Sequence, residues 1–138
     1  MIVVDEYLAI RSLTGVLPAD LPDEPLALTT SAHWRILQRI HGPGTGQLSQ
    51  ALGALSPAGR AVLRKPVPDV LQVLDPRPML DQAAAIAAAY GNTGWLVSET
   101  LVAGLVHGRQ LWFGSPRKVG RRLRQIADDL GVAIHIAV

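Results

Sequence analysis

Short apolar runs alternate with longer stretches of helical period along this chain, and that alternation sets the fold more tightly than any other feature. Ile2-Val3-Val4, Val70–Leu74, Gln110–Phe113 and Val132–Val138 read as strands; the first ends at Asp5 and the second is bracketed by Pro66, Pro68 and Pro76. Pro18–Pro25, with three prolines and three acids, is a loop, and Leu26–Thr30 leads into a helix over Ser31–His41 with His33, Trp34, Leu37 and Ile40 on one side. Further helices are predicted over Gln47–Leu55, from the Ser56-Pro57 cap to Lys65, over Met79–Tyr90 and over Leu96–His107, with breaks at 42–46 and 91–94. After Gly114, Ser115 offers an N-cap and Pro116 a first helical position. Val119, Leu123, Ile126 and Leu130 then fall at i, i+4, i+7 and i+11, and Gly131 closes that helix. Strands joined through helices require crossovers, hence a mainly parallel sheet covered on both faces. The four runs are also too continuously apolar for a sheet with one wet face. The expected fold is an α/β three-layer α/β/α sandwich, Rossmann-like, as one domain over residues 1–138.

Composition closes off several alternatives. With 138 residues, 49% apolar and 17% charged, the chain has one domain's length and ample core material, which excludes intrinsic disorder. It contains no cysteine, excluding a disulfide scaffold, a thiolate zinc site and cysteine catalysis. The longest apolar stretches, around Ala83–Ala89 and Leu101–Val106, fall far short of the roughly 20 residues a membrane span needs. The opening MIVVDE lacks the basic region of a signal peptide, so a cytoplasmic location and no membrane are expected. Net charge is only +2 but lopsided: residues 1–30 hold five acids and one base, whereas residues 100–127 hold six bases and no acid. A cationic end suits a polyanion or an acidic partner, and equally a solvated helix face.

In parallel α/β sheets the ligand site lies beyond the carboxyl ends of the strands, which here singles out Asp5, Glu6, Gly114 and Ser115. No glycine-rich phosphate loop follows the first strand, no nucleophile elbow is present, and His33, His41, His107 and His135 are scattered without metal-ligand spacing. Asp5 at its strand end and Glu99 near a helix start remain. Two carboxylates meeting there suit a hard cation such as Mg²⁺, which activates water against a phosphodiester. The competing reading is structural: Asp5 caps a helix beginning at Glu6, and Glu99 favours a helix start.

The order of these residues resembles the PIN-domain family, the nucleases that include VapC-type toxins of toxin–antitoxin pairs. MIVVDEYLAI looks like the family's opening strand ending in Asp. Leu96-Val97-Ser98-Glu99-Thr100-Leu101 resembles its Leu-Thr-x-x-Asp helix start with Glu for Asp; Gln110–Ser115 resembles a later strand motif, and Leu130-Gly131-Val132 the closing one. The resemblance implies a metal-dependent endoribonuclease that hydrolyses RNA phosphodiester bonds. Asp5 and Glu99 would be catalytic, and Asp5, Glu99 and the neighbouring Glu6 would hold Mg²⁺ or Mn²⁺. It also implies a cognate antitoxin protein as partner and a homodimer. Two acids of the family pattern are missing: the helix His33-Trp34-Arg35-Ile36-Leu37 carries none, and Ser115 stands where the fourth would be. Arg35 beside the first gap repels a cation or binds a phosphate, marking Arg35 and Ser115 as a phosphate or degenerate site.

Arg117, Lys118, Arg121, Arg122 and Arg124 are expected to project from the polar face of the last helix as an RNA-binding surface. Trp34, Trp95 and Trp112 offer stacking faces, but each stands among apolar neighbours, and core packing is the expectation. The alternative to the nuclease is a catalytically inactive PIN-like domain that binds RNA or an antitoxin. A third reading is an unrelated α/β module for a small phosphorylated ligand.

Overall fold

The computed structural model describes every residue except Pro43 and Asn92. Among the described residues the order is β1 (Ile2–Val4), α1 (Glu6–Ser12), β2 (Leu26–Leu28), α2 (Thr30–His41), α3 (Gln47–Gly53), α4 (Pro57–Arg64), β3 (Leu71–Val73), α5 (Leu80–Tyr90), α6 (Trp95–Val106), β4 (Gln110–Phe113), α7 (Arg121–Leu130) and β5 (Ala133–Ile136). Single 3-10 turns at Arg77–Met79 and Pro116–Lys118 precede α5 and α7.

All strand pairings are parallel, in the order β3-β2-β1-β4-β5. The period of two in a strand sorts its side chains onto opposite faces. Ile2 and Val4 of β1, Leu28 of β2 and Trp112 of β4 pack with α1–α4, through Leu8, Ile36, Leu52 and Leu63. Val3, Ala27, Leu111 and Phe113 pack with α5–α7, through Ile86, Leu101, Val102 and Ile126. The result is the expected three-layer α/β/α sandwich. Gly104 lets α6 lie close on the sheet, since a Cβ there would come within 2.7 Å of Leu111 Cγ.

From β1 the chain winds outward through β2 and β3, then returns to the other side of β1 for β4 and β5. That reversal opens a crevice between the carboxyl ends of β1 and β4, where ligands bind in folds of this topology.

Several local expectations change. Leu26-Ala27-Leu28 is a fifth strand, read in the sequence only as a lead-in because three residues of Leu and Ala carry no β signature. The buried stripe of α2 is Ala32 and Ile36 with Ile40 packed against it, so Trp34 lies off that stripe. Ser115 does not cap a helix through its side chain, and no continuous helix starts at Pro116. Val119 and Gly120 leave helical geometry after one turn, and α7 begins at Arg121 with Gly120 as N-cap. Arg117 and Lys118 therefore belong to the connection and only Arg121, Arg122 and Arg124 to the helix. The expected breaks at 42–46 and 91–94 include Pro43 and Asn92, which lie outside the described residues.

Candidate functional site

Asp5 leaves β1 in extended geometry and caps α1, its Oδ1 accepting from Leu8 N at 2.9 Å. The same oxygen accepts from Gly114 N at 2.9 Å, and Asp5 N donates to Trp112 O, so the ends of β1 and β4 are fastened through one residue. Gly114 is required by this closeness: a Cβ there would lie 2.9 Å from Tyr7 Cβ and 3.1 Å from Leu8 N. Asp5 Oδ2 is buried and has no partner among the described residues. Burial pushes the Asp5 carboxyl up to about 6, against the two backbone hydrogen bonds that favour its charged form.

Glu6, the next residue, is only 3% exposed and is held between two cations. Its Oε1 lies 3.0 Å from Lys118 Nζ and 3.4 Å from Arg35 Nε. Arg35 thus faces the strand ends, as its place in the sequence suggested, but its partner is a carboxylate of the same chain.

Glu99 sits on the second turn of α6 and is wholly buried. Its Oε2 accepts from Thr30 Oγ1 at 2.6 Å, and its Oε1 accepts from Ser31 N at 2.8 Å and from Ser31 Oγ. A carboxylate from α6 thereby caps the first turn of α2, where backbone N–H groups and the helix dipole favour negative charge. Thr29 Oγ1, accepting from Ala32 N, completes that cap.

A cleft of about 70 Å³ opens at these strand ends, with apolar walls that include Val3, Val97, Phe113 and Leu123, and with Asp5, Glu6, Thr29, Thr100 and Lys118 as its polar lining. Ser115 Oγ is buried nearby in sequence with no partner among the described residues. Arg117, Arg121, Arg122 and Arg124 are exposed, and Arg122 also donates to the carbonyls of Tyr90 and Gly91. The tryptophans divide. Trp112 is in the core and stacks on His135 at 4.3 Å, whereas Trp34 is 61% and Trp95 43% exposed. Core packing is therefore wrong for two of the three, because α2 buries a different stripe and Trp95 opens its helix.

No family model, curated protein or solved structure matches the chain.

The residues themselves thus decide whether a divalent cation fits, and the donor set argues against it. Mg²⁺ and Mn²⁺ need carboxylate oxygens free to face them. Both oxygens of Glu99 are engaged by α2, Glu6 is shared by two cations, and one oxygen of Asp5 is spent on backbone N–H groups. Two strand-end carboxylates face Arg35 and Lys118, so their formal charges cancel. Among the described residues no group of three or more His, Asp or Glu side chains is placed to hold a metal ion. Among the same residues no helix is long and apolar enough to cross a membrane.

Of the residues the sequence singled out, Asp5, Glu6 and Lys118 line this cleft and Arg35 joins them through Glu6, whereas Glu99 is engaged by α2 and Ser115, Arg117, Arg121, Arg122 and Arg124 are not among the cleft's lining residues. The sequence reading missed Thr30 and Ser31 as the partners of Glu99 and Thr29 as the N-cap of α2, although a Thr-Thr-Ser run at a helix start is a capping signature.

Proposed function

We propose that this chain is a PIN-like domain that binds RNA at the cationic end of its sheet without cutting it. The observation that carries this reading is the commitment of its carboxylates. Glu99 is engaged on α2 and Glu6 on Lys118 and Arg35, which removes the acidic pair that a metal-activated water requires. The motif order at Asp5, Glu99 and Leu130–Val132 supports the PIN-like part. Exposed Arg117, Arg121, Arg122 and Arg124 supply backbone-phosphate contacts, and exposed Trp34 and Trp95 supply flat faces for unpaired bases. Single-stranded RNA fits this combination, because aromatic stacking needs bases free of a duplex. Under this reading the protein works in the cytoplasm. A cognate antitoxin and a second copy of the chain, which the resemblance also implies, are its competing partners.

Fluorescence anisotropy of a labelled single-stranded RNA oligonucleotide, at several KCl concentrations and with a parallel gel assay in Mn²⁺, tests the reading. Saturable binding that weakens with salt, and RNA recovered intact, is the expected result. Cleavage that disappears in Asp5→Asn would restore the metal-dependent endoribonuclease. Absence of binding at low salt would remove RNA as the ligand and turn the search to protein partners.

A further inference from the structure

The strand ends carry a cation of their own. Lys118 reaches from the 3-10 turn Pro116–Lys118 into the cleft that Asp5 and Glu6 line. Its Nζ lies 3.0 Å from Glu6 Oε1 and is only 18% exposed with its side chain. Asp5 lines the same cleft, is 5% exposed, and keeps one buried oxygen without a partner among the described residues. Asp5 holds Gly114 and Glu6 holds Lys118, so two consecutive carboxylates grip the connection from β4 to α7 at its start and at its 3-10 turn. In a metal-binding site a divalent ion would neutralise those carboxylates and draw the same two segments together.

We infer that the Lys118 ammonium takes the place of the divalent cation at these strand ends, and that removing its charge opens a cation site there. The inference rests on the PIN-like reading for the kind of ion that belongs there. Three observations argue it together. Lys118 stands one turn beyond Ser115, where the resemblance expects another acid and the chain has a neutral residue. Lys118, Asp5 and Glu6 line one small cleft, and Asp5 Oδ2 has no partner among the described residues, so a +2 ion bound there would compete with the +1 side chain for the same carboxylates. Arg35, more exposed, supplies a second positive charge from the outer side of Glu6. A lysine is suited to this replacement because its charge is compact and its flexible stem needs no fixed coordination geometry. The consequence is a strand-end carboxylate pair that holds the β4–α7 connection, and with it the basic residues from Arg117 onward, without any ion.

Mn²⁺ alone is the probe. Binding is read by titration calorimetry and by the loss of the free-ion electron paramagnetic resonance signal, for the wild type, Lys118→Met and Lys118→Met/Asp5→Asn. The expected result is affinity in Lys118→Met at least about tenfold above the wild type, lost again in the double variant. Lys118→Gln is run beside it, because its amide still donates to Glu6 after the charge is gone, should the apolar replacement not fold. Equal Mn²⁺ affinity in the wild type and both single variants overturns the inference, as does an increase that survives Asp5→Asn. If neither variant folds, thermal melts decide: recovery of a cooperative transition on adding Mn²⁺ upholds the inference, and no recovery overturns it. RNA affinity of the wild type, read separately, judges the proposed function. An RNA-binding protein whose Lys118 variants ignore Mn²⁺ loses this inference alone, and a protein that ignores RNA while Lys118→Met takes up Mn²⁺ loses the other.

Discussion

The Oδ1 atom of Asp5 accepts from Gly114 N at 2.9 Å, joining the end of β1 to the end of β4 across 109 positions of the chain. The bond exists because Gly114 has no Cβ to hold α1 away. Gly114→Ala places a methyl group 2.9 Å from Tyr7 Cβ and 3.1 Å from backbone Leu8 N, and the second neighbour cannot swing aside. Overpacking of this kind destabilises by about 1–3 kcal/mol. Urea denaturation should show a midpoint lowered accordingly with an unchanged slope, and an unaltered midpoint would mean that α1 moves away freely.

Asp5 also sets a pH signature. Its carboxyl titrates near 6 in the folded protein because of burial, above the unfolded value of 3.8. A raised acid pKa means the folded state holds its proton longer, so this group's stabilising effect is complete below about pH 4. It is then lost as pH rises through 6. Two units correspond to about 3 kcal/mol at most. Asp5→Asn removes the ionisation while keeping an oxygen that caps α1 and accepts from Gly114. The variant should match the wild type near pH 4 and exceed its melting temperature at pH 7. The difference between the two melting curves isolates Asp5 from the other carboxylates, and a difference independent of pH would contradict the assignment.

Much of this architecture is written in local pattern, and what is missing from the pattern has definite causes. Ile2–Val4 and Leu111–Phe113 announce themselves as strands because side chains buried on both faces leave a short, continuously apolar run rich in β-branched or aromatic residues. Leu26–Leu28 does not, since three residues of Leu and Ala acquire strand geometry only by pairing with β1 and β3. The amphipathic spacing from Val119 to Leu130 was legible, but not the interruption at Val119-Gly120. Nothing in that spacing reveals that Lys118 is drawn back to Glu6, 112 positions away. At the site, Asp5 and Glu6 could be found by their place at a strand end and Glu99 by its place near a helix start. Their partners could not, because Arg35, Lys118, Thr30 and Ser31 are brought in by tertiary contact. Trp34 shows the same limit from the other side: its neighbours are apolar, yet the face of α2 that meets the sheet is set by Ala32 and Ile36.

Glu99 separates a structural carboxylate from a catalytic one. Its extra methylene relative to Asp carries the carboxylate from α6 to the first turn of α2, where three donors converge on it. Glu99→Ala leaves Thr30 Oγ1, Ser31 N and Ser31 Oγ without their acceptor in a buried place and opens a cavity. A loss of about 3 kcal/mol or more is expected. Glu99→Gln keeps one acceptor oxygen but turns an amide toward a donor, and should lose about 1–3 kcal/mol. Chemical denaturation measures both. A carboxylate whose only role was to hold an ion would behave oppositely, since its removal relieves burial of charge and leaves stability unchanged or higher.

The RNA face makes the last prediction, because its two kinds of contact respond differently to salt. Phosphate contacts release counterions, so each one contributes roughly −0.7 to the slope of log affinity against log salt for a single strand. Substituting exposed Arg117, Arg121 or Arg124 by Ala should therefore weaken binding and flatten that slope by about this amount per residue. Stacking releases no ions. Trp34→Ala and Trp95→Ala should each weaken binding by about 1–3 kcal/mol while the slope stays as it is. Because Trp34 is mostly exposed and Trp95 about half exposed, each substitution should lower the melting temperature less than Trp112→Ala, which removes a core side chain. Anisotropy titrations over a range of KCl read both quantities at once. Arginine variants that leave the slope intact, or tryptophan variants that leave affinity intact, would place RNA away from this end of the sheet.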